Sequence, residues 1–283
     1  MKLLILESAL HHKNKRGLDM MLNELKWDYK YGSISDINDY DIIYSPSAPL
    51  DASQYPDKKF IFGPHFSVFP NNRLINVNNT NNNAIYIQPS VWVYNLWRNM
   101  GAERHIEVKT QPFPPDTLRF SPVKEKKREK VFIYYKRRNP DELTTIKTFL
   151  NNKHIEYKIF DYVKRYDEKD YLEYLQESKY GIVLDAHESQ GFAIEEALSC
   201  DVPLLVWNTR TMNQEHGSQY QAFPCSTIPY WDERCGEFFY EEHEFEKAFN
   251  VFIDRIDTYK PRQYILENLS VSKCAYIFKK LIN

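Results

Sequence analysis

The sequence predicts an α/β protein built as two Rossmann-like halves, each a parallel sheet flanked by helices. Three observations carry that expectation. Short apolar runs, closed by Gly, Pro or Ser, alternate with helical periodicity through the first hundred residues. A proline cluster followed by a run of charge then interrupts the pattern. Beyond it the same alternation begins again, as it does in doubly wound folds.

Taken in order, residues 2–6 (K-L-L-I-L) form the first strand and residues 17–26 a helix. Residues 41–45 (D-I-I-Y-S), 59–63 (K-F-I-F-G) and 84–88 (A-I-Y-I-Q) are three more strands. Residues 71–83 are asparagine-rich and are expected as a surface loop. An aromatic helix over 90–100 leads into Gln111-Pro112-Phe113-Pro114-Pro115, then Ser121-Pro122 and the charged residues 124–130. Prolines followed by solvated charge mark a connection between domains. The second half reads strand 131–135, helix 141–151, strand 157–160, helix 167–177, strand 180–184, helix 193–200 and strand 204–207. Helical patterns over 242–257 and 261–282 close the chain. The expected domains are 1–118, 119–260, and a last segment, 261–283, returning to the first.

Composition narrows the function. In 283 residues, 42% hydrophobic, a sizeable core can form, and a formal charge of −2 gives no overall attraction to nucleic acid. The four cysteines show no C-x-x-C spacing and no histidine cluster completes a zinc site, so reduced buried thiols are expected. No stretch approaches the ~20 apolar residues of a membrane span. The expected location is cytoplasmic, with a peripheral position on a membrane left open.

The most informative segment is residues 180–207, Y-G-I-V-L-D-A-H-E-S-Q-G-F-A-I-E-E-A-L-S-C-D-V-P-L-L-V-W. A buried strand runs into a loop holding Glu188, Ser189, Gln190 and Gly191, and a helix then carries Glu196. Free backbone N–H groups at a helix start bind anions, and Gly191 lets the backbone come close to one. Two carboxylates flanking an anion site can accept hydrogen bonds from sugar hydroxyls. The same pattern also suits an ordinary helix with acidic first turns.

This segment resembles the E-S-F-G-x-A-x-x-E-A motif of retaining GT-B glycosyltransferases, the group that includes glycogen and sucrose synthases. Ser90, Trp92, Gly101, Pro114-Pro115-Asp116 and Arg119-Phe120-Ser121-Pro122 are similar to the family's crossover region. Val131-Phe132-Ile133-Tyr134-Tyr135-Lys136-Arg137-Arg138 is similar to its first C-domain strand. The resemblance implies two lobes with sheets facing across a cleft. It also implies a nucleotide-sugar co-substrate such as a UDP- or GDP-sugar, no other cofactor, no metal, and transfer with retention. Residue by residue it puts Glu196 on the donor ribose, Glu188 on the donor sugar, and Ser189, Gln190 and Gly191 near the diphosphate. Lys136 takes the basic position on the phosphates. The lysine expected several residues later is missing, and Arg138 stands in for it; a basic strand end in solvent is the alternative. Tyr162 falls near the base. His65, after the apolar run 59–63 and a proline, matches a histidine that lines the sugar pocket in several members, and is the candidate catalytic residue of the first half. His11 and His12 are weaker substrate-side candidates; His187 is expected to pack.

Two departures stand out. Glu7-Ser8-Ala9-Leu10 replaces the family's glycine-rich first loop, which leaves the acceptor (glycan, lipid-linked or protein-linked) unread. Asp201 replaces the glycine after the motif helix, a position aspartate tolerates in the left-handed conformation. The function implied is sugar transfer to a hydroxyl acceptor. A non-catalytic nucleotide-sugar-binding subunit and a nucleotide-sugar epimerase on the same fold remain alternatives.

Overall fold

The structure is a computed structural model that describes residues 2–6, 10–47, 49–70 and 83–282. The first-loop residues Glu7, Ser8 and Ala9, and most of the asparagine-rich segment, lie outside these. The chain divides into two compact units, residues 1–114 with 269–283, and residues 115–268.

The first unit contains β1 (Lys2–Leu6), α1 (His12–Glu24), β2 (Asp28–Gly32), β3 (Ile42–Ser45), β4 (Lys59–Phe62), β5 (Ala84–Gln88), α2 (Val91–Asn99) and β6 (Glu107–Thr110). Among the described residues these strands form one parallel sheet in the order β2-β1-β3-β4-β5-β6. Its middle strands are covered on both faces, so they are near-continuous apolar runs. Leu3 to Ile5, Ile42 to Tyr44 and Phe60 to Phe62 are all buried. The edge strands β2 and β6 were not legible as strands, because D-Y-K-Y-G and E-V-K-T mix charge with few apolar positions.

The second unit contains β7 (Lys130–Lys136), α3 (Pro140–Asn152), β8 (Lys158–Asp161), α4 (Glu168–Leu175), β9 (Ser178–Asp185), α5 (Phe192–Ser199), β10 (Leu204–Trp207), β11 (Gly236–Phe239), α6 (Phe245–Asp254) and α7 (Pro261–Asn268). Its parallel sheet runs β11-β10-β9-β7-β8. Helix starts follow local chemistry. The Asn139 side chain accepts from Asp141 N ahead of Pro140, and Asp167 accepts from Lys169 N and Asp170 N. Gly181, within β9, leaves room for the Phe132 ring, whose Cζ lies 2.2 Å from where a Cβ would stand.

The final helical pattern is broken into α7 and α8 (Val271–Ile282). The Asn268 side chain turns back to Tyr264 O at 2.9 Å, and Ser270 begins the next helix by accepting from Lys273 N at 3.4 Å. α7 stays with the second unit because Arg262 donates to Ser199 O (2.5 Å), Phe120 O and Thr117 O (both 3.1 Å). Its backbone N–H also reaches the carboxylate of Asp201, whose φ of 60° is the left-handed one expected of it. The return to the first unit therefore falls at Leu269 rather than at Pro261. α8 buries Cys274, Ala275, Phe278 and Ile282 in the first unit. There Phe278 meets Trp27 and Tyr44, and Cys274 O accepts from Gln111 Nε2 at 3.2 Å. All four cysteines are free thiols, and among the described residues no helix is long and apolar enough to cross a membrane.

Candidate active site

In the second sheet the chain leaves β7 for β8 on one side and then crosses back to β9 on the other. The crevice at the C-terminal ends of β7 and β9 is therefore the topological switch point, where open α/β sheets bind ligands. The register pairs Lys136, the last residue of β7, with Asp185, the last of β9. Lys136 Nζ forms an ion pair with Glu188 Oε1 and stands 3.8 Å from Asp185 Oδ2. It also lies 4.7 Å from the centroid of the Tyr162 ring, which is itself exposed. Lys136 and Glu188 are each about 15% exposed, whereas Asp185 is fully buried.

The charges in this group are unequal. Burial would lower the Lys136 pKa, but Asp185 and Glu188 outweigh it and hold the ammonium charged. Burial pushes the Asp185 carboxyl well above its ordinary range, and neighbouring Glu188 pushes the same way against the pull of Lys136. Burial alone would raise Glu188, but the charge of Lys136, with a smaller pull from neighbouring Asp185, leaves it below the usual carboxylate range. One cation thus sits between two carboxyl groups, of which Glu188 keeps the charge.

Gly191 precedes α5 with φ 91°, a left-handed conformation that favours glycine. The first-turn N–H groups of α5 have no intrahelical acceptor and carry the positive end of the helix dipole. Ser189 is half-buried. Gln190 is 3% exposed and its side chain donates to Glu195 Oε1 at 2.6 Å, which holds it in the interior. Glu196 is buried on the second turn, with the Tyr166 and Tyr171 hydroxyls in its electrostatic reach. The loop is held from behind. Glu188 N donates to Ser226 O at 3.0 Å, and Thr227 Oγ1 to Asp185 O at 2.9 Å. Asn208 Oδ1 anchors the same strand-end segment by accepting from Thr209 N and Thr227 N, both at 2.9 Å.

Arg138, expected on the donor phosphates, is 1% exposed. Its guanidinium grips Glu142 at both carboxylate oxygens (2.7 and 2.6 Å) and donates to Trp207 O at 2.8 Å. These bonds tie the ends of β7 and β10 to α3, and the sequence could not reveal that Glu142, one helical turn on, would take the fork. The exposed Arg137 (φ 52°) donates to Glu215 Oε1 at 3.1 Å, and the other oxygen of Glu215 is 3.4 Å from His187 Nδ1.

In the first unit His65 follows β4. Its Nδ1 is 3.2 Å from the Tyr86 hydroxyl, and its ring meets Trp97 edge-on. Burial depresses its pKa to about 4, against an opposing backbone contact from Phe69, so it is neutral at pH 7. His11 immediately precedes α1, without a capping bond from its side chain, and His12 opens the helix, with their rings 4.5 Å apart. Among the described residues no group of three or more His, Cys, Asp or Glu is placed to hold a metal ion.

Sequence reasoning missed Asp185. The available signal was a charged residue ending the apolar run I-V-L, at the strand end where ligands bind.

No protein-family model and no curated protein sequence matches the chain. Solved structures do. A sucrose-phosphate synthase from Thermosynechococcus elongatus is similar with a TM-score of 0.59 at 10% identity, over 99% of this chain and 98% of that one. The catalytic domain of starch synthase IV from Arabidopsis thaliana, bound to ADP and acarbose, gives 0.53 at 11% identity, over 97% and 78%. The GtfA/B complex gives 0.50 at 15% identity, over 85% of this chain; the chain spans 56% of the length of that one. The fold is that of the GT-B glycosyltransferases, two Rossmann-like α/β units in one chain.

Proposed function

We propose that the chain is a glycosyltransferase that takes its sugar from a nucleoside-diphosphate sugar held in the β7/β9 crevice. The observation that carries this reading is the meeting of Lys136 and Glu188 at the switch point, beside the Gly191 turn and the start of α5. The GT-B fold supports it. In this reading Lys136 turns from Glu188 to the diphosphate, and the first-turn amides of α5 receive the β-phosphate. Glu196 accepts from the ribose hydroxyls, with Tyr162 beside the base. Glu188 accepts from hydroxyls of the transferring sugar.

As the glycosidic bond breaks, negative charge grows on the departing diphosphate. A fixed ammonium and fixed helix amides stabilise that charge without having to reorganise. Arg138 has a positioning role, since its donors are already committed. His65 is a neutral hydrogen-bonding group of the first unit, and its place in the chemistry rests on the resemblance. Retention of configuration, a hydroxyl of a glycan or glycoconjugate as acceptor, and independence of metal belong to the same proposal.

Thermal shift against a panel of nucleotide-sugars, followed by assays of donor hydrolysis and transfer, tests this reading. Stabilisation by a donor, with turnover lost in Lys136→Met, is the expected result. Affinity without any turnover makes the chain a binding subunit, and an altered sugar without acceptor makes it an epimerase. No affinity for any donor rejects the site.

A further inference from the structure

Asp185 is a fully buried carboxyl group at the end of β9, three residues before Glu188, and the two carboxyl groups share one cation, Lys136 Nζ lying 3.8 Å from Asp185 Oδ2 and paired with Glu188 Oε1. Neither of its oxygens has a hydrogen-bond partner among the described residues, and the Ala186 N–H beside it, which favours the charged form, donates to Lys136 O at 3.1 Å. Two carboxylate oxygens cannot bond to each other unless a proton lies between them, and an ionised carboxylate without donors is not tolerated in an apolar interior. The groups around it reinforce this. Tyr134 and Lys136 face it from β7, with Lys136 the nearer at 3.8 Å and already paired with Glu188. His187 and Glu188 follow it on the loop, and Cys225 and Thr227 come from the segment behind. Arg138 reaches only its backbone carbonyl, at 3.4 Å. One ammonium cannot neutralise two carboxylates, so one proton stays with the pair.

We propose that Asp185 is a positioning residue that, as a neutral carboxylic acid, donates a hydrogen bond to Glu188 and holds that carboxylate in place when Lys136 turns to the diphosphate. The second half of this statement rests on the donor-site reading above; the first half does not. While Glu188 has the Asp185 proton, its charge is satisfied without Lys136, and the ammonium is released to an incoming anion at little cost. An Asp185 that ionised would leave two carboxylates competing with the diphosphate for one cation.

Infrared difference spectroscopy at pH 7 tests the first half without any substrate. The carbonyl stretch of a protonated carboxylic acid is expected in the wild type and is expected to vanish in Asp185→Asn. No such band in the wild type, or a band that survives in Asp185→Asn, overturns the proposal. Calorimetric titration with UDP and GDP tests the second half. Asparagine keeps an N–H donor in nearly the same shape, so affinity for the nucleotide that binds should stay within about threefold, while the donorless Asp185→Leu should lose about tenfold. Equal affinities in the two variants overturn the coupling to Lys136. If Asp185→Leu fails to fold, a loss of about tenfold or more in Asp185→Asn overturns it instead. A wild type that binds neither nucleotide removes the donor-site reading and the second half with it, and the infrared band still decides the first.

Discussion

Replacing Arg138 by Met separates a scaffold role from a phosphate-binding one. Met matches much of the arginine stem, so the change removes mainly the guanidinium and its bonds. Those are two charged hydrogen bonds to Glu142 at 2.7 and 2.6 Å and one to Trp207 O at 2.8 Å. The contact to Asp185 O at 3.4 Å is too long to count for much. Charged hydrogen bonds are worth about 1.5–3 kcal/mol each, and breaking a buried pair from one side costs about 3–5 kcal/mol. Glu142 remains 23% exposed and can recover some hydration, so the lower part of that range applies, about 3 kcal/mol. The two units need not unfold together, so the loss should be measured within the second unit, by hydrogen exchange of the β7 and β10 amides. Protection there should fall by about two orders of magnitude, for 1.4 kcal/mol is a factor of ten. Nucleoside-diphosphate affinity of the folded protein should change by no more than about threefold, as expected of a residue that touches no ligand. Protection unchanged while affinity falls tenfold or more would refute this reasoning and return Arg138 to the phosphates.

Glu196→Gln should raise the donor KM and spare kcat, while Glu188→Gln should mainly lower kcat, because a ribose contact persists through the reaction and a contact to the transferring sugar matters most in the transition state; steady-state kinetics that show equal small changes would contradict both roles. His65 carries a sign that can be checked: its folded pKa, about 4, lies below the ordinary histidine value, so its contribution is present above about pH 6.5 and is lost as pH falls toward 4. Between those limits the wild type should lose about 2 kcal/mol more than His65→Gln in denaturant titrations, allowing for partial exposure. Phe278→Ala should destabilise the first unit by about 3–5 kcal/mol, since the ring is fully buried on Trp27 and Tyr44. Nucleotide affinity should be untouched, as measured by calorimetry on the folded variant.

The parallel α/β character was legible because buried strands such as I-I-Y, F-I-F and G-I-V-L are apolar along their length and end at Ser, Gly and Asp. Edge strands carry a weaker signal: β8 was read from its short apolar run, but β11, G-E-F-F, is recognised only by its pairing with β10. The helix over 261–282 read as continuous because its apolar spacing runs on through Leu269, and the break depends on the side-chain bond of Asn268 to Tyr264 O. At the site the motif spacing drew attention to Glu188, Gly191 and Glu196. It could not show that the last residues of β7 and β9 are register partners, which brings Lys136 against Asp185 and Glu188. Nor could it tell Arg137, Arg138 and Lys136 apart. Burial does that, leaving Arg138 in the interior and Arg137 on Glu215.

The central claim is that a nucleoside diphosphate is held where β7 and β9 diverge, and a crystal soaked separately with UDP and with GDP tests it most directly. The account predicts density for one of them with its phosphates against the Gly191–Ala193 amides and Lys136 Nζ, its ribose hydroxyls on Glu196, and Lys136 drawn away from Glu188. A nucleotide bound elsewhere in the protein, with this crevice empty and the Lys136–Glu188 pair intact at saturating ligand, would contradict it.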